Sequence, residues 1–529
     1  MATGPRSNGA PASSRAATLQ AAEVERKYAV DPATLLPALA HVPGVASTGQ
    51  QATLDLAATY FDTEALDLTR HEMTLRRRTG GHDAGWHLKL GVDSESRTEL
   101  RRPLGRAVRT APAALVTTVR AVVRDRPLLP VATVRTHRLE YDLLGAGGEV
   151  LATICDDEVH AERLVGSPFV QDWREWEVEL VNGDSRLFDA LDAELTDAGA
   201  RRVKGGSKLK AALGDGLPRA AGAVVSPRRL KRATTTEFLV SQLAEQLAAV
   251  QSQDLRIRSG DTTSVHQLRI ALRRLRSALT TYRPLLDSTV VDPVRAELKW
   301  LGASLAPARD AQVMHAQLRA LLEEEPPELV MGQVVRRMDL HLRGMAEQGW
   351  RTAQEALASE RYLRLLDALD NLVDHPPVAR RSGSRAKKVV PPHLQRDAKR
   401  LRRAVRAIDE ARDAVERDVA FHEARKKAKR LRYSAQAAVP LFGAPAKRLA
   451  TSAKGVQTVL GDRQDSVVGR HLLRDLASQA YLNGENSFTF GRLHARVERL
   501  GQDAEQRFAA LWREVPHRGI RGRLGKRTP

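Results

Sequence analysis

The spacing of hydrophobic residues changes once along the chain, and this change limits the possible folds more than any other feature. Between about residues 20 and 212, short segments alternate apolar and polar residues and are separated by turn signals, which is typical of antiparallel strands. From about residue 235 onward, long segments rich in Ala, Leu and Arg follow a helical period. We therefore predict a multidomain chain with an N-terminal antiparallel sheet domain and a C-terminal all-α domain.

Composition at the ends and in the middle of the chain sets the domain limits. The stretch "AAGAVVSPRR" (220–229) has the composition of a linker. The predicted segments are a disordered leader (1–19), a sheet domain (20–212), a linker (213–232), a helical domain (233–515) and a basic tail (516–529).

Cysteine content and hydropathy indicate the compartment. The 529 residues contain a single cysteine, Cys155, so no disulfide can form within the chain and a reducing environment is expected. No apolar run reaches the roughly 18 residues that span a bilayer, and the first residues lack the apolar core of a signal peptide. We therefore expect a soluble cytoplasmic protein.

The formal net charge of +20 is distributed unevenly. Residues 1–220 carry 28 basic and 30 acidic side chains, whereas residues 221–529 carry 56 basic and 34 acidic ones. This surplus in the second half favours a polyanionic partner, which could be nucleic acid, anionic lipid or polyphosphate.

Several predicted strands place charged residues of both signs on one face. In "AAEVERKYAV" (21–30), alternation brings Glu23, Glu25 and Lys27 together. A sheet with one solvated face explains any single strand of this kind, but a closed barrel with a charged interior explains the whole set better. In such an interior, glutamates can bind hard divalent cations and basic residues can bind phosphoryl oxygens.

Motifs along residues 20–212 resemble those of the CYTH, or triphosphate tunnel metalloenzyme, superfamily. Glu23, Glu25 and Lys27 match its ExExK signature. Further matches are "YFDT" (60–63), "LRRR" (75–78), "HLKL" (87–90), "RTE" (97–99), "RTHR" (135–138), "ICDD" (154–157), "EVEL" (177–180) and "KGGSKLK" (204–210). The resemblance implies an eight-stranded antiparallel β-barrel tunnel that binds a linear triphosphate with Mg²⁺ or Mn²⁺.

The resemblance also implies roles for particular side chains. Those expected to bind the metal or to orient water are Glu23, Glu25, Asp156, Glu177 and Glu179. Those expected to bind phosphate are Lys27, Arg76, Arg78, Lys89, Arg135, Arg138, Lys204 and Lys208. The expected catalytic residues among them are Glu25, Lys27, Arg76, Arg78 and Glu177. The implied reaction is metal-assisted hydrolysis of a phosphoanhydride, in which water attacks the terminal phosphorus in line.

The second half contains an internal repeat. "VHQLRIALRRLRSAL" (265–279) is echoed by "FHEARKKAKRLRYSA" (421–435), so that His266 aligns with His422 at an offset of 156 residues. Downstream, Asp310 aligns with Asp465 at an offset of 155 residues. Because the offset is nearly constant across two separate blocks, we predict two helical units of similar plan.

Each copy of the repeat places a histidine and basic residues on one side of a helix. These residues are His266, Arg269, Arg273 and Arg276 in the first copy, and His422, Arg425, Lys429 and Arg432 in the second. A solvated face explains one such stripe, but like charges at this spacing repel, and a bound anion would relieve the repulsion. Residues of about 235–510 resemble the CHAD domain, which implies two four-helix bundles with pseudo-twofold symmetry and a basic face that binds inorganic polyphosphate.

The combined prediction is a metal-dependent inorganic triphosphatase joined to a polyphosphate-binding helical domain, located in the cytoplasm and associated with polyphosphate granules. A thiamine triphosphatase or adenylate cyclase of the same fold, and a polyphosphate-binding protein without catalysis, are the alternatives. Nucleic-acid binding by the basic half is a further alternative, although the few aromatic residues disfavour base stacking. We expect no membrane partner.

Overall fold

The computed structural model divides the chain into two compact units, residues 1–221 and 222–529. The described residues are 18–19, 23–90, 96–203, 207–218, 227–378 and 383–514. The first unit is built on an antiparallel sheet and the second on helices, which confirms the predicted fold class. Each helix in the described ranges is too short or too polar to cross a lipid bilayer.

In the described part of the first unit, eleven strands form one antiparallel sheet. The strands are β1 (Thr18–Leu19), β2 (Glu23–Val30), β3 (Ser47–Thr48), β4 (Ala52–Asp62), β5 (Thr74–Thr79), β6 (Gly85–Leu90), β7 (Ser96–Arg102), β8 (Leu129–Leu144), β9 (Val150–Arg163), β10 (Phe169–Leu180) and β11 (Arg201–Val203). Eight of them form a closed ring in the order β7, β6, β5, β4, β8, β9, β10 and β2, because β2 also pairs with β7. The ring is the eight-stranded barrel implied by the CYTH resemblance.

Alternation along the strands separates a packed outer face from a charged inner face. On β10, Trp176 and Val178 are fully buried in a core with Leu187 and Phe188. The helices described in this unit are α1 (Asp67–Arg70), α2 (Ala113–Val123), α3 (Ser185–Asp197) and α4 (Lys208–Leu213). Leu187 and Phe188 belong to α3. Because α3 covers this outer face, the alternate residues of β10 point into the barrel.

Helix α4 packs against the inner face of the barrel. Its Leu209 and Leu213 share a core with Val134, Val159 and Ala161, which lie on β8 and β9. The Ser207 side chain caps the helix by accepting a hydrogen bond from the backbone N–H of Lys210. The cap and the apolar contacts together place Lys208, the first residue of the helix, inside the barrel.

The second unit is built from helices in its described residues. They are α5 (Pro227–Leu230), α6 (Thr235–Arg258), α7 (Ser264–Thr281), α8 (Ser288–Ser304), α9 (Ala306–Glu323), α10 (Val334–Ala358), α11 (Glu360–Asp374), α12 (Ala386–Asp409), α13 (Ala414–Ala437), α14 (Val439–Phe442), α15 (Ala444–Leu482) and α16 (Phe488–Glu514). Helix α7 carries the first basic stripe of the repeat and α13 carries the second, and the two helices contact each other.

Four-helix cores hold the helical unit together. Helices α12, α13, α15 and α16 line one core, and α6, α7, α8 and α11 contact one another in a similar group. A further core is lined by α9, α10, α15 and α16. The 39-residue helix α15 and the 27-residue helix α16 therefore each take part in two cores.

Candidate functional site

The barrel encloses a cavity of about 310 Å³ whose wall is mostly charged. Six strands, the β5–β6 hairpin and helix α4 contribute these charges. The charged residues of the wall are Glu25, Lys27, Arg76, Arg78, Asp83, Lys89, Arg101, Arg138, Glu140, Glu177, Glu179 and Lys208. Carboxylates and cations from segments far apart in the sequence therefore meet in one interior space.

Three carboxylates form an acidic cluster, which consists of Asp157, Glu175 and Glu177. One oxygen atom from each lies within 4.8 Å of the others. Lys208 Nζ is 2.8 Å from Asp157 Oδ2, 2.6 Å from Glu175 Oε1 and 2.8 Å from Glu177 Oε1. Arg138 donates hydrogen bonds of 2.6 Å to both Asp157 and Glu177. Lys27 also forms an ion pair with Glu177, so three cations of the protein neutralise the acidic cluster.

These contacts shift the pKa values of the groups that make them. Burial would raise the pKa of Glu177, but the Lys208, Lys27 and Arg138 cations outweigh it and lower that pKa well below its usual value. Burial would lower the pKa of Lys208, but the carboxylates of the acidic cluster raise it well above its usual value. Both groups are therefore charged at neutral pH.

The acidic cluster fits a hard divalent cation. Carboxylate oxygens are the ligands that Mg²⁺ and Mn²⁺ prefer in proteins, and three of them lie close enough to share one ion. Glu177 of this cluster lines the cavity together with Glu25 and Glu179, which supply further carboxylate oxygens.

The other wall of the cavity is basic and contains hydrogen-bond donors that lack acceptors. Among the described residues, no acceptor is found for the buried Nε atoms of Arg76 and Arg78. Burial and the neighbouring Arg76 and Arg138 charges also lower the pKa of Arg78. A buried N–H group without an acceptor is costly, and an anion in the cavity would satisfy these donors.

Most of the predicted site residues line the cavity. They are Glu25, Lys27, Arg76, Arg78, Lys89, Arg138, Glu177, Glu179 and Lys208. The structure places Arg135 on the outer face of β8, where it is exposed. Lys204 and the side chain of Glu23 lie outside the described residues.

Of the two neighbouring aspartates, Asp157 and not the predicted Asp156 points into the barrel. Asp156 is 5% exposed and accepts a 2.8 Å hydrogen bond from Arg174 on the outer face of the barrel. Asp157 pairs in register with Arg138 and Glu175, so its side chain points inward while that of Asp156 points outward. Sequence reasoning missed Asp157 and Glu175, although Glu175 lies two residues before Glu177 and strand alternation would have placed it on the same face.

In the helical unit, the two basic stripes meet between α7 and α13. We call Arg269, Arg273, Arg425 and Lys429 the basic cluster. Burial, followed by the charges of Arg425, Arg273 and Arg269, lowers the pKa of Lys429 to about 7. The Nε atom of Arg425 is buried, and no described residue supplies an acceptor for it.

Two aspartates flank the basic cluster in equivalent positions of the repeat. Arg269 donates a 2.9 Å hydrogen bond to Asp310, and Arg425 lies 3.9 Å from Asp465. Burial raises the pKa of Asp465, although Arg425 opposes the shift.

The other predicted residues of the stripes lie around the basic cluster. Burial and the Arg309, Arg273 and Arg269 charges lower the pKa of His266. His422 is exposed and its Nδ1 lies 3.1 Å from the side-chain oxygen of Gln464. The remaining two are Arg276, whose pKa is lowered by burial and Arg295, and Arg432, which donates a 3.1 Å hydrogen bond to Gln457.

A closed eight-stranded barrel with a cavity lined by carboxylates and cations, followed by a helical domain with a basic cluster, defines a two-domain protein of the CYTH–CHAD type. The CYTH domain family matches residues 21–212 and the CHAD domain family matches residues 241–474. The chain belongs to the family of proteins in which a CYTH domain is followed by a CHAD domain. CYTH domains are metal-dependent, and their family is associated with triphosphatase and cyclase activity.

A full-length relative comes from Mycobacterium tuberculosis. The chain is 38% identical over 514 residues to the uncharacterized protein Rv2226 of strain ATCC 25618 / H37Rv. The aligned region covers 93% of this chain and 96% of that protein. The same values apply to the uncharacterized protein MT2285 of strain CDC 1551 / Oshkosh.

Two solved structures resemble part of the chain. PptA from Streptomyces chartreusis is 20% identical with a TM-score of 0.45, over 53% of this chain and all of that one. The CHAD domain from the plant Ricinus communis is 24% identical with a TM-score of 0.44, over 54% of this chain and 94% of that one.

Proposed function

We propose that this protein hydrolyses inorganic triphosphate with Mg²⁺ or Mn²⁺ and binds polyphosphate through the basic cluster of its helical domain. The convergence of carboxylates and cations inside one closed cavity carries the proposal. A cavity that only binds anions needs no carboxylates, whereas a complex of metal and phosphate needs both kinds of group.

The chemistry of the cavity wall supports an inorganic substrate. Among the described residues of the wall, Tyr60 and His82 carry the only rings. A base or thiazolium ring would need an apolar or aromatic surface on which to stack, and the apolar residues of the wall, Leu54, Leu56, Ala58 and Val134, are outnumbered by its charged ones. A linear triphosphate needs only charge and hydrogen-bond donors, which Arg76, Arg78 and Lys89 supply.

The side chains of the cavity have different roles in the reaction. A divalent cation bound at the acidic cluster would supply charge neutralisation and a water of lowered pKa. Arg76, Arg78 and Lys89 donate hydrogen bonds to the phosphoryl oxygens and stabilise the charge that develops on the leaving diphosphate. Glu25 and Glu179 accept hydrogen bonds from water and orient it toward the terminal phosphorus.

The helical domain supports a polyphosphate partner by its charge. Residues 221–529 carry 56 basic and 34 acidic side chains. Arg269 and Arg425 each have an aspartate within 4 Å, whereas no described carboxylate lies within that distance of Arg273 or Lys429, so the basic cluster retains positive charge. A long polyanion that crosses α7 and α13 would contact both helices of the repeat and displace counterions from them.

A phosphate-release panel tests the catalytic proposal. Full-length protein is mixed with tripolyphosphate, thiamine triphosphate, ATP or long-chain polyphosphate, each with Mg²⁺, Mn²⁺ or excess EDTA. We expect tripolyphosphate to be hydrolysed fastest and EDTA to stop the reaction. Formation of cyclic AMP from ATP, or no phosphate release from any substrate, would contradict the proposal.

A competition experiment tests the binding proposal. Long-chain polyphosphate and duplex DNA compete for full-length protein at the same salt concentration, because salt changes both affinities. We expect polyphosphate to bind more tightly and Arg273→Ala to weaken its binding. Arg364→Ala is the matched control, since it removes an arginine of α11 that is 69% exposed and pairs with Glu360. Tighter binding of DNA would favour a nucleic-acid partner instead.

A further inference from the structure

We propose that the buried His87 is a positioning residue that holds three cations of the cavity wall in place for phosphate binding. The cations are Arg78, Lys89 and Arg101, so this inference rests on the proposed function. His87 lies on β6, is 1% exposed and is not part of the cavity wall itself. Its effect on a bound anion must therefore pass through its neighbours.

The first link runs from His87 through Glu99 to two of the cations. His87 Nδ1 lies 2.9 Å from Glu99 Oε1. The other carboxylate oxygen, Oε2, accepts a 2.6 Å hydrogen bond from Arg101 Nε. Lys89 Nζ is 3.9 Å from Oε1. Because Glu99 is also 1% exposed, His87 and these two cations fix the orientation of its carboxylate.

The second link runs from the other ring nitrogen to the hairpin between β5 and β6. His87 Nε2 lies 2.8 Å from the backbone oxygen of Asp83. The carboxylate of Asp83 in turn forms an ion pair with Arg78, whose side chain lines the cavity. One imidazole ring therefore connects both sides of the basic wall, Arg78 on one side and Lys89 with Arg101 on the other.

Both partners of the ring are hydrogen-bond acceptors. A backbone carbonyl can only accept a hydrogen bond, and so can an ionised carboxylate. Burial would raise the pKa of Glu99, but hydrogen bonding to His87 and the charges of Lys89 and Arg101 lower it well below its usual value, so Glu99 is ionised. Each ring nitrogen therefore faces an acceptor, and the ring bridges the two.

The other charged groups around His87 come from the neighbouring strands. Arg76 on β5 and Arg101 on β7 are its partners in register, and one oxygen of the Asp83 carboxylate lies 4.0 Å from Nε2. Removal of either ring nitrogen would break one of the two links, and the affinity for triphosphate would fall.

Two conservative substitutions separate the links. In His87→Asn the side-chain amide reaches the place of Nδ1, which keeps a donor for Glu99 and loses the link to Asp83. In His87→Gln the amide reaches the place of Nε2, which keeps the link to Asp83 and loses the one to Glu99. We expect each variant to weaken tripolyphosphate binding about tenfold, the effect of one lost hydrogen bond of about 1.4 kcal/mol, and to raise KM more than it lowers kcat.

The measurements use full-length protein. Titration calorimetry with tripolyphosphate in EDTA gives Kd without turnover, and steady-state hydrolysis separates KM from kcat. We expect both variants to bind tripolyphosphate more weakly than wild type at the same pH. His137→Asn is the matched control, because His137 pairs with Asp55 at 2.8 Å on the outer face of the barrel.

Three outcomes would overturn the proposal in distinguishable ways. If wild type neither binds nor hydrolyses tripolyphosphate, the proposed function fails as well. If both variants keep the wild-type Kd, the positioning role of His87 fails alone. If the variants do not fold, nitrogen-15 histidine NMR of the wild type decides the matter, since a ring nitrogen of His87 without a hydrogen bond to its partner would refute the proposal.

Discussion

Lys208 Nζ and Glu177 Oε1 lie 2.8 Å apart inside the barrel, although one residue belongs to α4 and the other to β10. The same ammonium contacts Asp157 and Glu175. A lysine therefore neutralises the oxygen atoms that are best suited to a divalent cation. The ion and the lysine are expected to compete for these oxygens.

Lys208→Ala is expected to lower stability, and Mg²⁺ is expected to restore part of it. Removing one partner of a buried ion pair leaves charge uncompensated and costs about 3–5 kcal/mol. A divalent cation can replace the lost ammonium at the acidic cluster. The measurement is the thermal midpoint with and without Mg²⁺, and the control is Lys210→Ala, whose side chain is 40% exposed. If Mg²⁺ stabilises the wild type more than the variant, Lys208 and the ion do not compete for the acidic cluster.

Glu25→Gln is expected to reduce metal-dependent hydrolysis of tripolyphosphate by about a hundredfold or more. The amide keeps the shape of the side chain but neither binds a divalent cation well nor orients water as a base would. Because Glu25 lines the cavity without belonging to a hydrophobic core, the thermal midpoint should stay close to that of wild type. Phosphate release and circular dichroism provide the two measurements, and near-normal hydrolysis would remove Glu25 from the site.

Binding of polyphosphate is expected to tighten as the pH falls through about 7. The pKa of Lys429 is about 7, so its ammonium charge increases below that pH and is lost above it. Between about pH 8 and about pH 6, Kd should fall about three- to tenfold as one cation is added to the basic cluster.

Lys429→Arg provides the control for this pH dependence. Arginine keeps its charge throughout the range, so the part of the pH dependence due to Lys429 should disappear. Any contribution of His266, whose pKa is lowered by burial and the neighbouring arginines, should remain. Identical pH profiles for the variant and the wild type would exclude Lys429 as the titrating group.

The stabilising effect of Glu99 is expected to depend on pH. Its pKa is lowered in the folded state by contacts with His87, Lys89 and Arg101, against the effect of burial. A lowered pKa means that the stabilisation is fully present above the unfolded-state value of about 4.3 and is lost as the pH falls below it.

Urea unfolding of wild type and Glu99→Gln at several pH values measures this effect. At neutral pH the variant should be less stable by about 1–3 kcal/mol. The difference should shrink as the pH falls below about 4. A difference in stability that stays constant with pH would show that the neighbours of Glu99 do not lower its pKa.

Strand alternation was sufficient to predict much of the candidate site. It placed Glu25 with Lys27 and Glu177 with Glu179, and all four side chains line the cavity. Alternation also shows that Asp156 and Asp157 must point to opposite faces, but it does not show which of them points inward. That depends on the register of β9 between β8 and β10, which is a long-range property.

Other differences between the sequence prediction and the structure also have specific causes. Arg135 and Arg138 are three residues apart on one strand, so they cannot share a face, and the spacing alone could have excluded one of them. The basic stripes of α7 and α13 could be predicted separately from the repeat. Their meeting depends on contact between the two helices, as does the lowered pKa of Lys429.

The 39 residues of α15 have a consequence for how the helical domain unfolds. Val456 and Leu460 near one end of this helix pack in a different core from Leu473 and Leu476 near the other. Because the helix is continuous, loss of one core would destabilise the segment of α15 that packs in the other. The duplicated halves are therefore coupled into a single cooperative unit, in contrast to repeat arrays whose modules can open one at a time.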